Sequence, residues 1–394
     1  MKSENVFGYW KYYSDNFDWN QPPIMNLVNK EKTLEVFHNA GFDEIKSKQL
    51  WDSGYVCSDY SDLVIDRYYG GALNSGDMIS RLMPSQLNDL FEPPKSRAWV
   101  KSATSLNDVY QIIKDAQSKC SKQLMFRGQR QNYFIDREIN NPNFTIEGLG
   151  EISLLSSFWR QVFSKTKTSF LDFETLLLPE WNKIFYTAYD LDDIEKRQAL
   201  ALENGEWMHS MQDMADSDDP ILKEFGNHRL DLAMGMNYNL ADTLSTLLQH
   251  YGLLSTVIDL TTSPDVALFF ATHKYSCNKG LSNYEFVGTN KGKSVLYLIR
   301  GNETEMVNHS EDRVLNKIPP ERPKKQHCVI SRSSAHAVNL PAFFLEGIIN
   351  LEFELDESES PKSMEDLFPS EQEDKFLNAI REGLLFPDKV SYFG

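Results

Sequence analysis

Three short segments carry side chains able to do chemistry: Phe126-Arg127-Gly128-Gln129, Leu248-Gln249-His250-Tyr251-Gly252-Leu253, and Asp259-Leu260-Thr261-Thr262-Ser263-Pro264. Each sets polar groups at the end of an apolar run, and two of them include a glycine. That is the pattern of a site assembled across a sheet from distant parts of a chain. A guanidinium such as Arg127 forks onto a phosphate or carboxylate, and a glycine such as Gly128 lets a ligand approach the backbone. The same arginine equally suits tying a strand end to an acidic residue. His250 and Tyr251 can stack on a ring and hydrogen-bond a ribose; a histidine at a helix C-terminus also suits the helix dipole with no ligand involved. Asp259 lies inside Thr256-Val257-Ile258-Asp259-Leu260 and needs a partner if buried, either Arg127 or an amide of the following turn. Thr261, Thr262 and Ser263 can cap the helix that Pro264 opens, and that helix N-terminus can also receive an anion.

The elements that must position these groups follow from periodicity. Gln123–Phe126 reads as a short strand ending at Arg127-Gly128. Leu240–His250 reads as a helix ended by Gly252, Ser255–Leu260 as a β-branched strand, and Pro264–His273 as a short buried helix. Upstream, Glu31–Phe42 has a helical pattern, Tyr68-Tyr69-Gly70-Gly71 reads as a turn, and Ala98-Trp99-Val100 reads as a strand. Ser105–Ser118 reads as a helix capped by Ser105. Residues 151–202 are helical in pattern, while Asp190–Arg197 and Met211–Pro220 read as charged connectors. Downstream, Ser294–Arg300, Val329-Ile330, Ala342–Leu345 and Ile348–Phe353 are strand candidates. Gly301–Pro320 reads as a loop, and Gln372–Glu382 as a helix stopped by Gly383. Helices and strands mix without strict alternation. The expected class is therefore α+β: a mixed, split antiparallel sheet flanked by helices, with a helical N-terminal region.

The chain has 394 residues, which favours two domains. Phe91-Glu92-Pro93-Pro94-Lys95 marks a boundary, giving residues 1–95 and 96–394. The first region opens with Phe7, Tyr9, Trp10, Tyr12, Tyr13, Phe17 and Trp19. These suit either a packed arm or a protein-partner surface. A net charge of −17 disfavours non-specific nucleic-acid binding. Four scattered cysteines without CxxC spacing suit a reducing cytoplasm. No leader segment and no membrane span are expected. Gly288-Thr289-Asn290-Lys291-Gly292-Lys293-Ser294 is one residue short of a phosphate-binding loop and runs into a strand, so it reads as a turn. His327 and His336 bring no third ligand, and no metal is expected. The acidic Asp356–Ser363 loop reads as a solvated linker.

Taken together, the motifs resemble the FRG domain, a family named for its Phe-Arg-Gly motif. Leu124 to Gln129 is similar to its opening strand, Glu151 to Phe158 to the helix that follows, and Leu248 to Ala271 to its most specific block. Arg322 and Gln326 fit an Arg-x-x-x-Gln pattern, and Gly383 to Asp388 a closing Gly-x-x-Phe-Pro-Asp segment. The resemblance spans roughly residues 97–394. Leu260 stands where the family has Trp, and Cys328 and Ile330 where it has Gly and Phe.

The resemblance implies an ADP-ribosyltransferase-like layout with NAD as the substrate and a macromolecular acceptor of unknown type. Arg127 would hold the pyrophosphate or the adenosine-side ribose, with Gly128, Gln129, Thr261, Thr262, Ser263 and Gln326 around the dinucleotide. His250 and Tyr251 would line the nicotinamide pocket. Asp259 is the first candidate for the carboxylate that stabilises an oxocarbenium-like state, and Glu346, Glu352 and Glu354 are alternatives. The resemblance also implies a toxin or antiphage effector. The other reading is a binding module that senses a nucleotide or phage component without chemistry.

Overall fold

The computed structural model describes residues 29–58, 61–66, 81–156, 189–234, 246, 247, 249–252, 255, 257–301, 306–308, 320–331, 339–383, 391 and 393. Its centre is a seven-stranded sheet. In chain order the strands are β4 (Trp99–Ala103), β5 (Leu124–Gln129), β9 (Ile258–Thr261), β12 (Val295–Arg300), β13 (Met306–Asn308), β14 (Cys328–Ser331) and β15 (Leu345–Leu351). In space they run β13-β14-β9-β5-β12-β15-β4. Every pair is antiparallel except β15 with β4. The sheet is therefore mixed and the class α+β, as the unordered alternation of helices and strands predicts.

The middle of this sheet is covered on both faces. In β12, Val295 to Ile299 are all buried, an unbroken apolar run rather than an alternating one. One face packs on helix α3 (Leu106–Lys119) through Val109, Ile112, Ile113 and Ala116. The Ser105 hydroxyl accepts from the Asp108 amide at 3.1 Å and caps that helix. A later helix, Pro264–Thr272, lies on the same face and buries Ala267, Leu268 and Ala271 against it. The other face packs on Phe144, Ile146, Ile152 and Leu154, from a small sheet of β6 (Phe134–Ile135), β7 (Thr145–Ile146) and β8 (Gly150–Ile152) and the residues flanking its strands.

The first described region is not simply helical. Helices α1 (Lys30–Asn39) and α2 (Glu44–Asp52) pack on a three-stranded sheet, β1 (Tyr55–Ser58), β2 (Ser61–Asp66) and β3 (Arg81–Leu82), and on a 3₁₀ helix, Pro84–Phe91. Their shared core takes in Ile139 from the other side of the proline pair. A buried ion pair also crosses here: Arg137 binds both Asp66 and Glu151. The aromatic run from Phe7 to Trp19 and the Tyr68–Gly71 turn lie outside the described residues.

Several expectations are corrected. Residues 150–152 form a strand, not the start of a helix, because they close the small sheet; 157–188 lie outside the described residues. The supposed connectors fall in helices: Asp190–Arg197 opens α4 (Leu191–Glu203), and Met211–Pro220 takes in α5 (Met211–Ala215) and the first residue of α6 (Pro220–Met234). Their acidic residues act as caps: Asp190 accepts from the Asp193 amide, and Ser210 and Asp213 form a capping box. High charge here marks helix starts rather than loops. Ala342 and Phe343 end a short helix, Leu340–Phe343, and the strand begins only at Leu345. Gly301–Pro320 contains strand β13. A hairpin, β10 (His273–Asn278) with β11 (Leu281–Phe286), was not legible, since only two of its twelve residues, His273 and Ser282, are buried. Among the described residues, no helix is long and apolar enough to cross a membrane.

Candidate functional site

The site sits where the large sheet parts. Strands β5 and β9 pair through one residue pair, Phe126 with Thr261. Beyond it the Arg127 guanidinium reaches across and donates from Nη1 to the Asp259 carbonyl oxygen at 2.6 Å. A cavity of about 580 Å³ opens at this split, in the size range of small-molecule sites. Arg127, Gly128, Gln129, His250, Asp259, Thr261 and Gln326 all line it. Residues more than 120 positions apart thus meet because β9 inserts beside β5, with the helical residues 249 and 250 arriving just before it.

Each of these side chains has a specific setting. His250 ends a helical stretch, and Gly252 turns the chain with φ +84°, a value that disfavours any side chain. Its Nε2 lies 3.7 Å from Asp259 Oδ1, with the ring 1% exposed. The His250 carbonyl accepts from Arg322 Nη1 at 3.0 Å, and the fully buried Arg322 guanidinium lies 4.7 Å above the Tyr251 ring. Arg322 therefore fixes the histidine's backbone, while Gln326, one turn on, lines the cavity and accepts the Thr261 hydroxyl on its carbonyl. The Gln326 side chain donates from Nε2 to the Leu367 carbonyl at 3.2 Å.

Asp259 is the only carboxylate among the described residues that line the cavity. Burial pushes its pKa up to about 7, against the pull of the Arg127 charge and of hydrogen bonds from Cys328 and Gln249. Arg127, Arg130 and Lys274 also line the cavity. A chain of net charge −17 thus concentrates cations in its cavity. The Arg130 Nε and Gln129 Oε1 atoms are buried there without a hydrogen-bond partner among the described residues. Aromatic rings form one wall: Tyr284 stacks on Phe368 at 4.9 Å, and Phe393 lies 4.2 Å from Phe368.

Three donor atoms also converge. Cys328 on β14 directs Sγ to 3.9 Å from Asp259 Oδ1, and one donor atom from each of His250, Asp259 and Cys328 lies within 4.8 Å of the others. Sequence spacing gives no sign of this trio, because each ligand comes from a different element.

Residues 195–279 match the FRG domain. No curated protein and no solved structure matches the chain. The FRG match runs from α4 through His250 and Asp259 into the hairpin, whereas Arg127 and Cys328 lie outside it. The cavity is therefore built from the FRG match together with strands before and after it.

Four sequence expectations place differently. Gly128 does not open space for a ligand: a β-carbon there would lie 1.7 Å from the Ala267 carbonyl oxygen, so the helix backbone fills that space. Tyr251 is fully buried away from the cavity, and its hydroxyl donates to Asp374 at 2.5 Å. Thr262 and Ser263 do not line the cavity; the Thr262 amide donates to the His327 carbonyl, and Ser263 caps the Pro264–Thr272 helix. Glu346, Glu352 and Glu354 sit elsewhere, with Glu346 facing Arg300 at 3.8 Å and Glu352 accepting from Ser102 at 2.6 Å.

Arg130, Lys274 and Cys328 are among the cavity groups that sequence reasoning passed over. Arg130 directly follows β5 (Leu124–Gln129). Tyr251→Phe should cost about 1–2 kcal/mol, because it leaves the buried Asp374 carboxylate with one donor fewer. Ligand affinity should not change; a loss of affinity at full stability would place Tyr251 at the ligand after all.

Proposed function

We propose that the cavity binds a phosphate-bearing dinucleotide, NAD, and cleaves its nicotinamide–ribose bond in the manner of an ADP-ribosyltransferase. One observation carries this reading: a single carboxylate, Asp259, shares one cavity with Arg127, Arg130 and Lys274. The cations suit a pyrophosphate. The aromatic wall of Tyr284, Phe368 and Phe393 suits a stacked base. In the reaction the nicotinamide leaves with the electron pair of its bond to ribose, and positive charge develops at that ribose carbon. The ionised Asp259 stabilises that charge. An acceptor nucleophile then forms the new bond and gives up its proton to His250 or solvent. A split mixed sheet flanked by helices is compatible with an ADP-ribosyltransferase-like fold. A toxin or antiphage role rests on the family resemblance alone.

The test is nicotinamide release from NAD by the full chain. Arg127→Ala should lower turnover by about 100-fold, as for loss of one charged transition-state contact. Absence of both nicotinamide release and saturable NAD binding in the unaltered chain would refute the proposal. The second reading, nucleotide binding without chemistry, is favoured by the distance of the late-strand glutamates from the cavity. Saturable binding with no product over time selects it.

A further inference from the structure

We propose that His250, Asp259 and Cys328 form a three-ligand zinc site on the cavity wall, with its open coordination position facing the cavity. The three donors come from the end of a helical stretch and from two hydrogen-bonded strands, β9 and β14. In that pair Asp259 lies opposite Ile330 and Cys328 opposite Thr261. The pleat therefore sends the Asp259 and Cys328 side chains to one face, as diagonal neighbours offset by two residues. Nε2 to Oδ1 is 3.7 Å and Sγ to Oδ1 is 3.9 Å, with all three donor atoms within 4.8 Å.

Zinc bonds of about 2.0–2.3 Å in tetrahedral geometry set ligands roughly 3.3–3.8 Å apart. Two of the distances are already near that range, so coordination needs only a small contraction. The donor types fit as well: imidazole nitrogen, carboxylate oxygen and thiolate sulfur are each established zinc ligands. His250 is 1% exposed and Cys328 is buried, while Asp259, at 25%, faces the opening. Val257 and Ile330 pack on Cys328 and give the site an apolar shell.

Three protein ligands with a fourth position open to a cavity is the arrangement of zinc sites that do chemistry rather than hold a fold. On binding, Cys328 releases its proton to solvent and coordinates as thiolate. One thiolate and one carboxylate neutralise the ion, and the nearby Arg127 charge then favours an anionic oxygen as fourth ligand. This inference goes beyond the NAD reading and does not depend on it. Zinc held by Asp259 takes that carboxylate out of NAD cleavage, so metal and reaction compete for one side chain.

The experiment titrates the chelator-treated full chain with Co²⁺ and reads the absorption spectrum, then displaces cobalt with Zn²⁺. One equivalent should give tetrahedral visible bands and a near-ultraviolet thiolate-to-cobalt band, both lost when zinc is added. Cys328→Ser should remove the thiolate band, and Asp259→Asn should weaken zinc at least about 10-fold. Cys277→Ser, at an exposed position, should leave both unchanged. A wild-type chain with no thiolate band overturns the proposal whatever the variants do. So does a band that survives in folded Cys328→Ser.

Discussion

Gly128→Ala is expected to destabilise the chain by at least about 3 kcal/mol, the upper end for overpacking a filled interior. The added β-carbon would lie 1.7 Å from the Ala267 carbonyl oxygen, 2.7 Å from its carbon and 2.9 Å from the Ala271 amide nitrogen. All three are backbone atoms, so no side-chain rotation relieves the clash. The helix that carries them buries Val266, Ala267, Leu268, Phe269 and Ala271, and cannot lift without opening the core on that face. The same helix contributes Val266, Ala267 and Phe270 to the cavity. Ligand affinity should therefore fall together with stability. Chemical denaturation compares the two chains, and an unchanged midpoint would show that strand and helix do not touch this closely.

Arg137→Ala is expected to cost about 3–5 kcal/mol, because it strands two buried carboxylates. Arg137, Asp66 and Glu151 have side chains 2%, 1% and 0% exposed. The guanidinium donates to Asp66 Oδ2 at 2.7 Å and to Glu151 Oε2 at 2.8 Å, and it also donates to the Ser53 carbonyl at 3.0 Å. It lies 4.8 Å above the Tyr55 ring. Asp66 belongs to the first sheet and Glu151 to the small sheet under the large one, so the arginine joins the two parts of the protein. Asp66→Asn combined with Glu151→Gln in the Arg137→Ala chain should recover much of the loss by removing the uncompensated charges. Denaturation midpoints of the single and triple variants decide this. A triple variant no more stable than Arg137→Ala would mean that packing, not charge, accounts for the cost.

The helix and strand patterns most legible in the sequence are a periodic apolar stripe and an unbroken apolar run. Ser105 to Lys119 keeps one apolar stripe and a serine cap, and Val295 to Ile299 is buried on both faces. Segments that owe their structure to neighbours were misread. The strand at 150–152 exists because β6 and β7 pair with it. The helices between Leu191 and Met234 carry so many charged residues that a local reading took parts of them for connectors, yet those charges cap the helix ends.

The site shows the same division. The sequence by itself marked Arg127, His250 and Asp259 by residue type and position, and all three line one cavity. Residue type also suggested Tyr251, but whether its hydroxyl faces a ligand or Asp374 depends on the packing of a segment 123 residues away. Gly128 was legible as a place where a side chain is forbidden, not as to what forbids it; the answer is a helix backbone rather than a ligand. Only the tertiary structure set Cys328 beside His250 and Asp259, since the β9–β14 register brings it there. Local sequence determines which conformations and which chemistry a segment can offer, because propensity and periodicity act over a few residues. Which groups share a site is decided by strand pairing and helix packing between distant segments, where a register shift of one residue reverses the face on which every side chain of a strand falls.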